Sequence, residues 1–353
     1  MFVGPNDPGR VQIVTEILTS YDAPLPGLLE ELTMSDRSNP PSITAVICTY
    51  ERYDVLVEAM RSLDKQTLPK EQYELVVVDN SPSSEKKERF WEGLHLACEC
   101  RAVFEDEPGL SRARNIGLEE ARGRHIAFLD DDAVASPGWL EAAVAVLDER
   151  PKVGIVGGPV EPIWPERRPA WLHEWQEGYL TILDRGPDLR ELGPAEWVAG
   201  TNMALPRKVL QRAGGFDTAI GRIGRSLLSN EELALTKKLS ALGYTSVYSP
   251  HMRVRHRVHA DRLNQEWFVR RASWQAVSDL LSSAEAGSGD RSSDERTIER
   301  FFSSLPIRRR KFESFFAGSA TKEEFQLRLS AVEALARLLL REERGAASLR
   351  SSA

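Results

Sequence analysis

Short apolar runs alternating with helical patterns constrain this chain more than any other feature. SITAVICTY (42–50), YELVVVDNS (73–81) and HIAFLDDD (125–132) have strand length and are rich in β-branched or aromatic residues. Between the first two, Val55, Leu56, Ala59, Met60 and Leu63 recur at helical spacing. SSEKKERFWEGL (83–94) predicts a helix capped by Ser83 or Ser84, and ARNIGLEEARG (113–123) predicts one closed by Gly123. Strands that are apolar on both faces and alternate with helices belong to a mostly parallel central sheet flanked by helices, so the fold class is α/β. In such sheets ligands gather beyond the carboxyl ends of the strands. Thr49–Glu51, Asp79–Asn80 and Asp130–Asp132 all fall there.

Residues 1–41 form an N-terminal leader with a short strand at Val11–Leu18 and a Pro-rich linker. The main domain spans 42–283. Its second half carries a Trp- and Pro-rich segment, and reads as richer in loops than in regular layers. Residues 284–353 open as a linker and end as an α-helical C-terminal tail, with Phe325, Leu329, Val332, Ala336 and Leu339 at helical spacing. A net charge of −7 argues against a nucleic-acid partner. Three cysteines without zinc or disulfide spacing suit a reducing compartment. The first residues lack the order of a signal peptide, and no apolar run nears the roughly 20 residues that span a bilayer. The expected location is the cytoplasm, or the inner face of a membrane.

The acidic triplet Asp130–Asp131–Asp132 admits two readings. It is a polar turn ahead of SPGWLEAAVAVL, or a site for a hard cation such as Mg²⁺ or Mn²⁺. Asp79 is an acceptor at a strand end, or caps the next helix. Gly109 permits close backbone approach, while Arg112, Arg114 and Asn115 offer hydrogen-bond donors, one arginine being left for solvent. Glu231 and Glu232 open a helix, where acids stabilise the dipole whatever else they do.

These segments, taken in order, resemble the family-2 glycosyltransferases, which adopt the GT-A fold. The resemblance runs from about Ile43 to Leu281 and rests on VICTYER, VVVDNS, PGLSRARNIGLEEARG, FLDDDA, VAGTNMALPRKVLQRAGGFD, SNEELALTKKLSALGY and VRHRV. It implies a Rossmann-like nucleotide-binding half (42–135) and an acceptor half (136–283). It further implies a metal-dependent, inverting transfer from a nucleotide-sugar, UDP favoured, to a hydroxyl acceptor on a glycan, lipid-linked sugar or small molecule. By resemblance Thr49, Tyr50, Glu51, Asp79, Gly109, Arg112, Asn115, Gly200 and Asn202 bind the donor, and Asp130 or Asp131 faces the ribose and sugar. Asp132 ligates the metal together with a late histidine, His256, with His259 and His251 as fallbacks. The general base is the second acid of the pair, Glu232, with Glu231 as the alternative; the family more often has Asp there.

Trp164, Trp171, Trp175 and Trp197 either stack on sugars or fill the core. The loop 221–228, with its glycines and arginines, is expected to close over the diphosphate. Arg255, Arg257, Arg262, Arg270 and Arg271 serve phosphate or solvent. The tail segment PIRRRKFESFF (306–316) suits an anionic membrane or a twin subunit, but packing on its own domain is preferred. Two rivals stand beside the transferase: a sugar nucleotidyltransferase, disfavoured because CTYERYD is no Gly-rich basic loop, and a non-catalytic nucleotide-sugar or glycan-binding module, against which the intact acids speak.

Overall fold

The computed structural model describes residues 40–193, 196–219, 227, 229–282, 291–319 and 321–351. The leader with its expected strand, the linker at 284–290 and the loop 221–228, apart from Leu227, lie outside the described residues.

Strands β1 (Ile43–Thr49), β2 (Tyr73–Asp79), β3 (Glu99–Phe104) and β4 (His125–Asp130) run parallel, with β1 between β2 and β4. The registers set Thr49 beside Asp79 and Cys48 beside Asp130, so the ligand-facing strand ends lie level. Ile43, Ala45 and Ile47 alternate with Val46 to feed the two apolar cores on opposite faces of the sheet. One face is covered by α1 (Tyr53–Asp64), through Leu56, Ala59, Met60 and Leu63, together with the later helix α4 (Trp139–Glu149). The helices α2 (Glu85–Glu92) and α3 (Leu110–Glu120) follow β2 and β3. Each large aliphatic side chain so buried contributes about 1.5–3 kcal/mol.

Of the expected caps, Ser84 begins α2, its side chain accepting from the Lys87 N–H at 3.2 Å. Gly123 does not close α3, which ends at an extended Ala121. Its role is close approach: a Cβ there would lie 2.5 Å from the Thr44 backbone nitrogen.

Beyond β4 the sheet changes direction. Its full order is β3-β2-β1-β4-β9-β6-β10-β8, adding β6 (Val153–Gly157), β8 (Arg190–Glu191), β9 (Asn202–Pro206) and β10 (Thr245–Tyr248). β9 is antiparallel to both of its neighbours. The second half is thus more regular than its sequence suggests. A small second sheet joins β5 (Ala133–Ala135), β11 (Val254–Arg257) and β7 (Val160–Ile163). After β9 come α5 (Arg207–Arg212) and α6 (Glu231–Ala241), which supplies Leu235 and Leu239 to the core over the second face.

The C-terminal helices α7 (Gln265–Ser282), α8 (Arg291–Ser304) and α9 (Lys322–Ser351) build a separate apolar cluster. Trp171 anchors it, edge-on to Phe268 at 5.3 Å and to Phe325 at 5.2 Å. Phe325, Leu329 and Val332 are buried there, so the expected tail stripe packs on its own domain, whereas Leu339 is exposed.

Candidate active site

The carboxyl ends of β1 and β4 open into a cavity of about 1100 Å³. Thr49, Tyr50, Glu51, Gly109, Asp130, Asp131, Asp132, Gly200, Glu231, Glu232 and His256, all expected at the site, line it together.

The acidic triplet spans the change from one sheet to the other. Asp130 ends β4, the chain turns through Asp131 and Asp132, and β5 then pairs with β11. That pairing sets His256 opposite Ala133 and lets the Arg257 N–H donate to the Asp132 carbonyl at 2.9 Å. His256 Nε2 consequently lies 3.2 Å from Asp132 Oδ1, and His259 Nε2 lies 3.1 Å from Asp132 Oδ2. His251 is exposed and stands apart from the cavity lining. Single ligand atoms of Asp130, Asp132 and His256 lie within 4.8 Å of one another. A bare imidazole nitrogen and a carboxylate oxygen aimed at one point repel unless a proton or cation lies between them. Two carboxylates and one imidazole therefore fit a divalent ion of the Mn²⁺ or Mg²⁺ kind.

Asp131 points elsewhere. It is buried, accepting from Thr49 Oγ1 at 2.8 Å and from Arg52 Nη1 at 2.8 Å. Burial pushes its carboxyl up to about 7, the Asp132 charge adding to this and Arg52 opposing it. Asp130, not Asp131, is thus the triplet's second acid at the metal group, while Asp131 anchors Arg52. Burial would also raise Asp132, but His256, His259 and Arg52 together hold it well below the usual carboxylate range. Arg52 was not legible as a site residue. Its guanidinium bridges Asp131 and Asp132, reaching Asp132 Oδ2 at 2.7 Å, and also abuts His259.

Across the cavity, α6 begins after Asn230, whose left-handed backbone (φ 81°) turns the chain sharply. Arg114 from α3 reaches both acids of the first turn: Nη1 donates to Glu231 Oε1 at 3.2 Å and to Glu232 Oε1 at 3.1 Å. Its Nη2 lies 3.7 Å from Asp130 Oδ1, and its side chain is only 3% exposed. One buried cation therefore stands between the acid pair and the metal group. Glu231 is 5% exposed against 18% for Glu232, so Glu232 is the more accessible acid. Burial and the neighbouring Glu231 push the Glu232 carboxyl up to about 7, with Arg114 opposing. Gly200 makes this arrangement fit, since a Cβ there would lie 1.7 Å from Glu232 Oε1.

Four expected donor ligands lie off the cavity wall. Asp79 is fully buried, accepting from Tyr53 Oη, Trp91 Nε1 and the Ser81 N–H at 2.9–3.0 Å, and it does not line the cavity. Arg112 is the solvated arginine, paired with Glu105 and Glu107. Asn115 instead braces a turn, donating to the Phe216 carbonyl and accepting from its N–H. Asn202 is buried beneath the site: its amide donates to the Pro159 and Met252 carbonyls and accepts from Trp139 Nε1. On the open side, Trp175, Tyr179, Trp197, Arg262 and Arg271 join the lining, with Trp175 46% exposed. Trp164 and Trp171 pack against the C-terminal cluster instead.

The comparisons with known proteins agree with this architecture. Mannosyltransferase PcManGT from Pyrobaculum calidifontis, solved with GDP-Man and Mn²⁺, superposes with TM-score 0.51 at 21% identity, covering 89% of this chain and 80% of that one. GalNAc-T7 with UDP, GalNAc and Mn²⁺ superposes with TM-score 0.50 at 17% identity, covering 82% of this chain and 54% of that one. In sequence, the chain is 30% identical over 246 residues to the glucosyl-dolichyl phosphate glucuronosyltransferase of Haloferax volcanii, covering 67% of this chain and 75% of that protein. Residues 44–214 match the model of Glycosyl transferase family 2.

The fold is of the GT-A type. The chain belongs to glycosyl transferase family 2. The nucleotidyltransferase and non-catalytic readings fall with that membership. Among the described residues, no helix is long and apolar enough to cross a membrane.

Proposed function

We propose that the chain transfers a sugar from a nucleoside-diphosphate sugar to an acceptor hydroxyl with inversion, using Glu232 as general base. The observation that carries this reading is the meeting, in one cavity, of the Asp130–Asp132–His256 group with a raised, cavity-facing Glu232. The acceptor oxygen forms its bond to the anomeric carbon as the bond to the diphosphate breaks. The acceptor proton passes to a Glu232 carboxylate oxygen, and the nucleoside diphosphate departs. A base poised near neutrality suits that task.

Arg114 fixes the orientation of the Glu232 carboxylate, and Gly200 clears the space beside it. Asp130, Asp132 and His256 would hold a divalent ion, which when bound would supply positive charge against the departing phosphates. Imidazole among the ligands favours Mn²⁺ over Mg²⁺.

With Asp79 buried, the base-reading role passes to Tyr50, an exposed ring, and Glu51, an exposed carboxylate in the left-handed region (φ 55°). A carboxylate there accepts from the imide N–H of uracil or thymine, and equally from the lactam N–H of guanine. A UDP-sugar is the first donor to try. Trp175, Tyr179 and Trp197 frame the acceptor side, where a sugar face stacks on an aromatic ring.

The test incubates the protein with a panel of UDP-, dTDP- and GDP-sugars, with Mn²⁺ or with chelator. Metal-dependent release of nucleoside diphosphate is expected. Release of pyrophosphate, or release of nucleoside diphosphate that chelator leaves undiminished, overturns the reading.

A further inference from the structure

The turn between α8 and α9 carries an apolar patch that neither the active site nor the core uses. Ile307 (83% exposed), Phe316 (64%) and Phe312 (59%) are the most exposed large apolar side chains among the described residues, and they fall within ten positions of sequence. Single exposed apolar residues need no explanation, but a cluster marks an interaction surface. This one is held in place from beneath. Ser314 and Phe315 are buried, Phe315 lies 5.3 Å from Phe301, and Arg309 is tied to Glu324 at 2.7 Å. Phe312 packs against both Phe315 and Phe316 with ring centroids 5.7 Å apart. The apolar tips are therefore presented by a hydrogen-bonded turn.

Around the patch, Arg308, Arg310 and Lys311 are exposed, with only Glu313 as an exposed acid within the segment. The side chains of Arg308 and Lys311 pair with no carboxylate among the described residues. Cations concentrated here, on a chain of net charge −7, select an anionic partner at this face and repel one elsewhere. Protruding Phe and Ile tips within a basic collar match the layered chemistry of a bilayer surface, with acidic headgroups outside and acyl chains beneath.

We propose that residues 306–316 dock the protein peripherally on an anionic lipid bilayer. Phe312, Phe316 and Ile307 enter the interface, and Arg308, Arg310 and Lys311 meet lipid headgroups. Gln265 connects this turn to the active site. Its amide donates to the Ser319 carbonyl and its carbonyl accepts from the Ser319 N–H, while its helix α7 carries Arg271, Gln275 and Asp279 in the cavity wall. A docked turn thus fixes one wall of the cavity relative to the membrane.

The test is flotation of the full chain with vesicles of phosphatidylcholine alone or mixed with phosphatidylglycerol. Binding is expected only to the mixed vesicles, and raised salt should weaken it. The double variant R308Q/K311Q removes about thirtyfold of that affinity, from two charges near an anionic surface. Phe312→Ser and Phe316→Ser each remove roughly tenfold through lost apolar insertion. The charge variant alters only exposed side chains, so an unchanged denaturation midpoint certifies its fold. Equal binding to both vesicle types, no binding to either, or undiminished binding by R308Q/K311Q overturns the proposal. So does concentration-dependent self-association without vesicles that Phe312→Ser abolishes, because a second copy of the chain would then own the patch. None of these readouts depends on sugar transfer.

Discussion

Replacing Glu232 by Gln should abolish transfer and, above neutral pH, make the protein more stable. In the fold, burial and Glu231 raise this carboxyl from its ordinary 4.5 to about 7 despite Arg114. An acid whose folded value lies above its unfolded value opposes folding once it ionises. The penalty is absent below pH 4.5, where both states are protonated, and complete above about 7. A shift of that size corresponds to about 3 kcal/mol. Gln keeps the shape, removes the ionisation, and leaves Arg114 paired with Glu231. The measurement is urea denaturation of parent and variant across this pH range in metal-free buffer, with transfer assayed separately on folded protein supplied with Mn²⁺. The stability of Glu232→Gln relative to the parent should rise by about 3 kcal/mol as pH increases, while donor binding persists and transfer is lost. A pH-independent difference would refute the raised carboxyl, and retained transfer would refute the base.

Further outcomes follow from the same geometry. The parent's kcat/KM should climb as pH rises through about 7, because the base must be ionised, and the limb should vanish in Glu232→Gln when its residual rate is measured. Asp132→Asn should weaken Mn²⁺ binding, read by paramagnetic titration, at least tenfold without loss of fold, since it removes one ligand charge and the anchor of both histidines. Asn202→Ala should lower unfolding free energy by about 2–4 kcal/mol, because two buried carbonyls and the Trp139 indole N–H lose their partner; a donor KM change without destabilisation would return Asn202 to the binding site. Trp175→Ala should raise acceptor KM while leaving donor binding unchanged, as its half-exposed ring lies on the open side of the cavity.

The parallel half of the sheet was legible because its central strands are buried on both faces and so written as unbroken apolar runs. β3 was not: ECRAVF mixes charge with apolar residues, as the partly exposed strand at the sheet's edge requires. The acids and His256 were legible through their order along the chain. What those residues touch was not. Arg52 looks like one more charge after a strand, and only the turn of β4 into β5 brings Asp131 and Asp132 against it. Asp79 carries the same letter whether it faces a ligand or, as here, three donors of its own fold. Arg112 and Arg114, two positions apart on one helix, part company because α3 turns one towards solvent and buries the other between Glu231, Glu232 and Asp130. Helical phase suggests that one differs from the other, but it does not say which acids wait on the buried side.

The close approach at Gly200 has a consequence for how such chains diverge. A methyl group at position 200 would occupy the place of Glu232 Oε1. Aspartate at 232 withdraws the carboxylate by one methylene, which leaves Arg114 Nη2, 2.5 Å from the same position, as the remaining obstacle. A lineage passing from Gly–Glu to Ala–Asp at these two positions meets fewer clashes by changing 232 first, because the opposite order crowds the new methyl group against both Glu232 and Arg114. The two sites, thirty-two residues apart, should therefore change in a set order.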